Sequence, residues 1–243
     1  MQQSSIISEK SKIGNNVEIG HFSIIEDNVE IGNNVTIGHH TIISKGTIIE
    51  DNVTINDHTL IGKQPMKQQK QQLPSIIGRN TKIGAFVVIY SGAIIGKECF
   101  IADQASIREN VSIGNYTTIG RNAAIENNTS IGNKVSIQTN VYITAFSHIS
   151  DQAFIAPGVI TSNDPTAARS KTPIKLKGVN VEYGGRIGAG AVILPGINIR
   201  QEGFAAAGSI VTRDVAENII VAGCPAKKLK SLPANQKLNN ILT

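Results

Sequence analysis

From Ile77 to Ile155 every sixth residue is isoleucine, fourteen in succession with no miss. An amphipathic helix places apolar residues three or four apart, and a half-buried strand places them two apart. A period of six fits neither alone. It fits very short strands joined by tight turns, with one inward anchor per strand. The residue after the isoleucine is often glycine (Gly78, Gly84, Gly96, Gly114, Gly120, Gly132), as a close backbone approach or a bend requires. The residue four after it is small or β-branched: Thr81, Val87, Ala93, Cys99, Ala105, Val111, Thr117, Ala123. Asn, Lys, Glu, Asp and Arg fill the positions between. Each hexad therefore supplies an inward isoleucine, a bend, outward polar residues and a small inward residue at a corner. A fixed period of this kind specifies a solenoid.

The frame starts at Ile7 and holds through Ile61. It breaks at residues 63–75, KQPMKQQKQQLPS, and resumes at Ile77, ten residues late. It breaks again over 161–178, TSNDPTAARSKTPIKLKG, and returns with Val181, Ile187, Ile193, Ile199, Ala205 and Val211. Both breaks read as external loops, and solenoid insertions often fall on the binding face. Past Val221 the repeat stops. Pro233 precedes Leu238, Ile241 and Leu242 at helical spacing, which predicts a short C-terminal helix over 232–243 after a single solenoid domain over 1–231.

The hexad pattern resembles that of the hexapeptide-repeat proteins. That resemblance implies an all-β, left-handed parallel β-helix of triangular section with three hexads per coil, hence about ten coils here. The hand is implied by the resemblance alone, because the general rule for parallel crossovers favours the opposite one. Three hexads per coil would also bring the two loops out at the same corner.

Composition narrows the class. The net charge is +5 and the sequence pI about 9.2, a mild excess that spread along a solenoid serves solubility. No aromatic-basic cluster of the kind that reads nucleic acid is present. Cys99 and Cys224 set no disulfide framework, and Cys99 falls at an inward corner. The absence of a signal-like opening or an apolar run of membrane-spanning length leads to the expectation of a cytoplasmic protein.

Two stretches carry chemistry. Residues 185–199, 203–215 and 221–227 (GRIGAGAVILPGINI, GFAAAGSIVTRDV, VAGCPAK) closely resemble the acyl-CoA-binding end of hexapeptide acyltransferases. The resemblance implies that backbone amides of small-residue turns meet the pantetheine arm and that basic residues meet the phosphates. Gly188, Ala189, Gly190, Ala206 and Ala207 would leave room for a thin ligand, and Arg213, Lys227, Lys228 and Lys230 would supply charge. Residues 137–142, followed by FIAPGVITSND, resemble the N-acyltransferases of nucleotide-linked amino sugars, especially 3-amino-3,6-dideoxyhexoses on dTDP and related UDP-linked sugars. That likeness implies a homotrimer with active sites between subunits, acetyl-CoA or another short acyl-CoA as co-substrate, and Asn140 as the residue that positions the sugar amine. An amide can accept from an amine without holding it protonated, as a carboxylate would. Lys63, Gln64, Tyr142, Asn163 and Asp164 are expected on the substrate side. In O-acylating branches a histidine activates a hydroxyl, and His148, facing outward, is the alternative base. The γ-carbonic anhydrases share the solenoid and bind zinc through three histidines, but the mid-chain region where they keep them holds only His148, and metal ligation needs three or four convergent donors. No metal is expected.

Overall fold

The structure is a computed structural model that describes residues 4–66 and 73–238. The chain divides into two compact units, Met1–Asn122 and Ala123–Thr243. Each is a parallel β-helix of the expected left-handed class, built from strands mostly two residues long. No helix among the described residues is long and apolar enough to cross a membrane.

In the N-terminal unit the strands alternate among three faces, and each pairs with its counterpart one coil on. Ile24 and Ile25 lie opposite Ile42 and Ile43, and Ile94 and Ile95 lie opposite Ser112 and Ile113. In-register stacking sets like on like, so the second residue of each strand builds an inward isoleucine ladder. Ile25, Ile43, Ile61, Ile89 and Ile107 are each exposed by 1% or less. Each such side chain contributes roughly 1.5–3 kcal/mol relative to exposure. The small residues predicted to face inward do so: Thr81, Val87, Ala93, Cys99, Ala105, Val111 and Thr117 are all buried. Burial pushes the Cys99 thiol up, against hydrogen bonds that lower it.

The corners separate two demands that the hexad merges. At the position after the isoleucine the constraint is approach: a Cβ on Gly78 would lie 2.6 Å from the Gly96 carbonyl carbon. The bend comes two residues later, where the backbone enters the left-handed region at Asn16, Asn34, Asn52 and Asn80. Asn tolerates that conformation better than most side chains. Side chains at these corners stack from coil to coil. Asn16 Nδ2 donates to Asn34 Oδ1 and Asn34 Nδ2 to Asn52 Oδ1, both at 3.1 Å. Between the third and first faces the rings of Phe22, His40, His58 and Phe86 form a stack with centroids 4.8–5.1 Å apart.

The first loop departs from an extended strand, Leu60–Lys63, on the first face of this unit. The part of it at 67–72 lies outside the described residues.

The C-terminal unit repeats the architecture. Its first face holds Ala124–Ile125, Tyr142–Ile143, Ile160–Thr161, Val192–Ile193 and Ile210–Val211. Its second holds Ser130–Ile131, His148–Ile149, Asn180–Val181 and Asn198–Ile199. Its third holds Ser136–Ile137, Phe154–Ile155, Arg186–Ile187 and Phe204–Ala205. The second loop leaves after Ile160–Thr161, on this unit's first face. Past the last coil, Ile219–Gly223 pairs in parallel with Phe204–Ala205 and then turns into an antiparallel partner, Ala226–Ser231. Sequence reading takes this stretch only as a departure from the repeat. Where a C-terminal helix over 232–243 is expected, the described residues hold one 3-10 turn, Ala234–Gln236, which ends at an extended Lys237. Leu238 N then donates to the buried Glu202 carboxylate, and the remainder at 239–243 lies outside the described residues.

Candidate active site

In the C-terminal unit the corner between the third and first faces carries the residues singled out from sequence. Asn140 stands there in the left-handed conformation, φ 59°. In the next three coils the same corner position is Gly158, Gly190 and Gly208, with φ of 70°, 64° and 68°. A Cβ built on Gly190 or Gly208 meets nothing within 4 Å, and one on Gly158 meets only the Gly190 nitrogen at 4.0 Å. Nothing steric requires glycine at these corners, and Asn fills the equivalent place elsewhere. The corner side chains stop at Asn140, and a bare strip follows. The coils are linked by Gly158 N–H donating to Thr139 O (3.0 Å), Gly190 N–H to Pro157 O (2.9 Å) and Gly208 N–H to Ala189 O (2.8 Å). With coils about 4.8 Å apart, the strip from Asn140 to Gly208 is roughly 14 Å long.

The predicted cofactor residues fall on this strip. Gly188 has a close-approach role, since its Cβ would sit 2.4 Å from Ala207 N. Ala189 and Ala207 are exposed on the corner, and Ala206 is half-buried beside them. The N–H groups of Thr139, Ala189 and Ala207 have no hydrogen-bond partner among the described residues. The strip is thus narrow, free of side chains and lined with available amide donors.

Val221 pairs with Ala205, so the hairpin turn at 223–225 continues the same corner. Beyond it opens a cleft of about 410 Å³ lined by Val211, Arg213, Asp214, Ala216, Ile219, Val221, Ala226, Lys227 and Lys228. The structure thereby brings Arg213 to the same cleft as Lys227 and Lys228. Asp214 is engaged elsewhere: it accepts from Asn198 N (2.8 Å) and Nδ2 (2.9 Å) and lies 3.5 Å from Arg200. Arg213, Lys227 and Lys228 have no carboxylate partner among the described residues, so the cleft suits an anion with several charges.

The other candidates sit elsewhere. Tyr142 adjoins Asn140 but points outward on the first face, 39% exposed. His148 lies on the second face, away from the strip. Its Nδ1 is 2.6 Å from Ser130 Oγ and its Nε2 3.3 Å from Ser150 Oγ. Asn163 and Asp164 shape the second loop. Asn163 Nδ2 donates to Ala145 O at 3.3 Å. The Asp164 carboxylate accepts from Thr166 Oγ1 and N, both at 2.7 Å, and from Ala168 N at 2.8 Å. The Thr166 hydroxyl, then these amides, hold its pKa below the ordinary carboxylate value. In the N-terminal unit Lys63 Nζ rests 5.2 Å from the Tyr90 ring centroid, and Gln64 Oε1 accepts from Ser91 Oγ at 3.4 Å. Sequence reading missed Gly158 and Gly208. Their signal is glycine three after the inward residue (Ile155 and Ala205), a place where Asn is common in the repeat.

Two family models match this chain. Residues 19–115 match the model described as GMPPB C-terminal domain, and residues 110–145 match that of the hexapeptide repeat of succinyl-transferase. A Saccharomyces cerevisiae protein bearing an acetyltransferase name, YJL218W, is 35% identical over 88 residues, 35% of this chain and 45% of the relative. A 2,3,4,5-tetrahydropyridine-2,6-dicarboxylate N-acetyltransferase of Clostridium perfringens is 49% identical over 51 residues, 21% of this chain and 22% of the relative. The chain thus spans less than half the length of these curated relatives. A UDP-N-acetylglucosamine acyltransferase of Arabidopsis superposes with a TM-score of 0.71 over 100% of this chain and 77% of that one, at 17% identity, a likeness of fold. The chain thus shares the hexapeptide repeat with relatives that bear acetyltransferase names.

Proposed function

We propose that this protein transfers an acetyl or other short acyl group from acyl-CoA to the amine of a nucleotide-linked amino-deoxy sugar, as an intermediate step in making a surface glycan. The observation that carries this reading is the bare corner strip, with Asn140 at one end and the Arg213–Lys227–Lys228 cleft at the other. The cleft takes the phosphates of CoA. The pantetheine arm runs over Gly208 and Gly190, and the thioester reaches Gly158. Asn140 orients the amine, with Tyr142, Asn163 and Asp164 on the acceptor side. A neutral amine attacks without a dedicated base, and the departing thiolate takes the proton.

The site is shared between subunits of a homotrimer. What supports this is the first face of the C-terminal unit, which adjoins the strip and presents an apolar outward row. Tyr142 is 39% and Ile160 50% exposed, with Val192 and Ile210 half-buried in the same row. A second copy covering that row would lie beside the strip and wall it.

The test is to screen dTDP- and UDP-linked amino sugars with acetyl-CoA, following free CoA with a thiol reagent and the N-acyl product by mass spectrometry. Sedimentation equilibrium should give about three chains. Absence of CoA release with every amine would end the reading.

A further inference from the structure

The acyl-transfer step needs a donor for the oxyanion that forms on the thioester carbonyl, and the position beside Asn140 points first to an N–H of the following coil. The structure closes that route. The N–H groups of Gly158, Gly190 and Gly208 are engaged with Thr139 O, Pro157 O and Ala189 O. Position 157, directly beyond Thr139 along the corner, is proline and has no N–H. The unengaged donor nearest Asn140 on the strip is the N–H of Thr139 itself.

Pro157 also explains why that donor is available. At the equivalent corner place in several other coils, an acceptor side chain from the next coil caps the N–H. Asn33 Oδ1 accepts from Asn15 N at 2.9 Å, Asp51 Oδ1 from Asn33 N at 2.7 Å, Asp103 Oδ1 from Ala85 N at 2.9 Å, and Asp151 Oδ1 from Asn133 N at 2.8 Å. For Thr139 the capping position is residue 157, and proline offers no acceptor.

We propose that the Thr139 backbone N–H is the oxyanion donor and that Pro157 is the positioning residue that keeps it uncapped. This rests on the acyl-transfer reading above. The amine nitrogen attacks the thioester carbonyl carbon, forming the C–N bond while the carbonyl π pair moves onto oxygen. The oxyanion accepts from Thr139 N–H. Its collapse restores C=O and breaks C–S, and the thiolate takes the proton that nitrogen loses, leaving an amide and free CoA. Ala189 and Ala207 N–H, one coil apart, then face the two amide carbonyls of the arm, whose carbons lie roughly 5 Å apart when extended.

Two routes remove the donor. Thr139→Pro deletes the N–H at a place where the next coil already carries proline. Pro157→Asn supplies the missing cap with a residue the repeat uses in that role. Removing one such donor costs about 10²–10³ in kcat. The expected result is that loss of kcat in both variants, with CoA affinity by calorimetry and the thermal midpoint near the parent values. Pro157→Ala, which offers no acceptor and so leaves the Thr139 N–H uncapped, should lose far less kcat than Pro157→Asn. Should Thr139→Pro fail to fold, Pro157→Asn alone decides. Full kcat in a folded Pro157→Asn enzyme overturns the assignment while leaving acyl transfer intact. An inactive parent enzyme instead indicts the acyl-transfer reading.

Discussion

Gly158→Asn tests the strip directly. Backbone φ at 158 is 70°, and the site for a Cβ is open. Left-handed conformation costs an ordinary residue about 1–2 kcal/mol, and Asn sits at the low end because it can hydrogen-bond locally. This chain already places Asn in that conformation at corners such as Asn16, Asn34, Asn52 and Asn140. The new carboxamide would stack on Asn140, extending the side-chain ladder by one rung. A cost of about 1 kcal/mol corresponds to a drop of roughly 2–4 °C in thermal midpoint for a protein of this size. The functional cost should be far larger. An added side chain fills the gap where the thioester must lie, so kcat/KM should fall at least a hundredfold, about 2.7 kcal/mol of transition-state stabilisation. Gly208→Asn, three coils from Asn140, should chiefly weaken CoA binding. The assay is CoA release alongside calorimetric CoA affinity and a melting curve. A Gly158→Asn enzyme with normal melting and normal kcat/KM would refute the strip as the donor groove.

Three further outcomes are expected. Ile119→Asp buries an unpaired carboxylate in a ladder where Ile119 is 0% exposed. That costs several kcal/mol, so the variant should be insoluble or unfolded; normal solubility and melting would contradict the register. Asn140→Ala should lower turnover at least tenfold, about 1.4 kcal/mol, whereas His148→Asn should change it little. The reverse pattern, with a loss on the order of a hundredfold in His148→Asn and a mild effect of Asn140→Ala, would move the chemistry to the second face. In the native protein a thiol reagent should modify the exposed Cys224 and spare the buried Cys99, whose raised pKa keeps it protonated. Because Cys224 lies in the turn between strip and cleft, saturating CoA should slow its modification. Two thiols reacting at once, or no protection by CoA, would count against this placement.

The fold was legible because one physical constraint repeats. A thin parallel helix must bury one residue per strand, and in-register stacking makes that residue the same kind each time, so isoleucine recurs every six positions. The corner chemistry was only half legible. Glycine after the isoleucine and asparagine two residues later look alike as turn residues, yet the first answers to a neighbouring backbone and the second to the sign of φ. Only coordinates separate them, and only that separation makes Gly158, Gly190 and Gly208 notable: they are glycines where Asn would serve. The C-terminal hairpin escaped for a different reason. Its two strands pair antiparallel and carry no hexad, so the sequence grouped Lys227 and Lys228 with Arg213 by resemblance but gave no geometry for the cleft they share. Asp164 shows a different limit, since its carboxylate accepts from the loop's own Thr166 and Ala168 amides, a role that a conspicuous acid at the start of a loop does not announce. The most telling residue is Pro157. In sequence it is one proline in a turn. In the structure it is both the missing N–H and the missing cap at a single place on the strip. A fold that closes this place with Asn or Asp in several coils leaves it open beside Asn140, and it does so with the one residue type that also removes the next coil's own N–H.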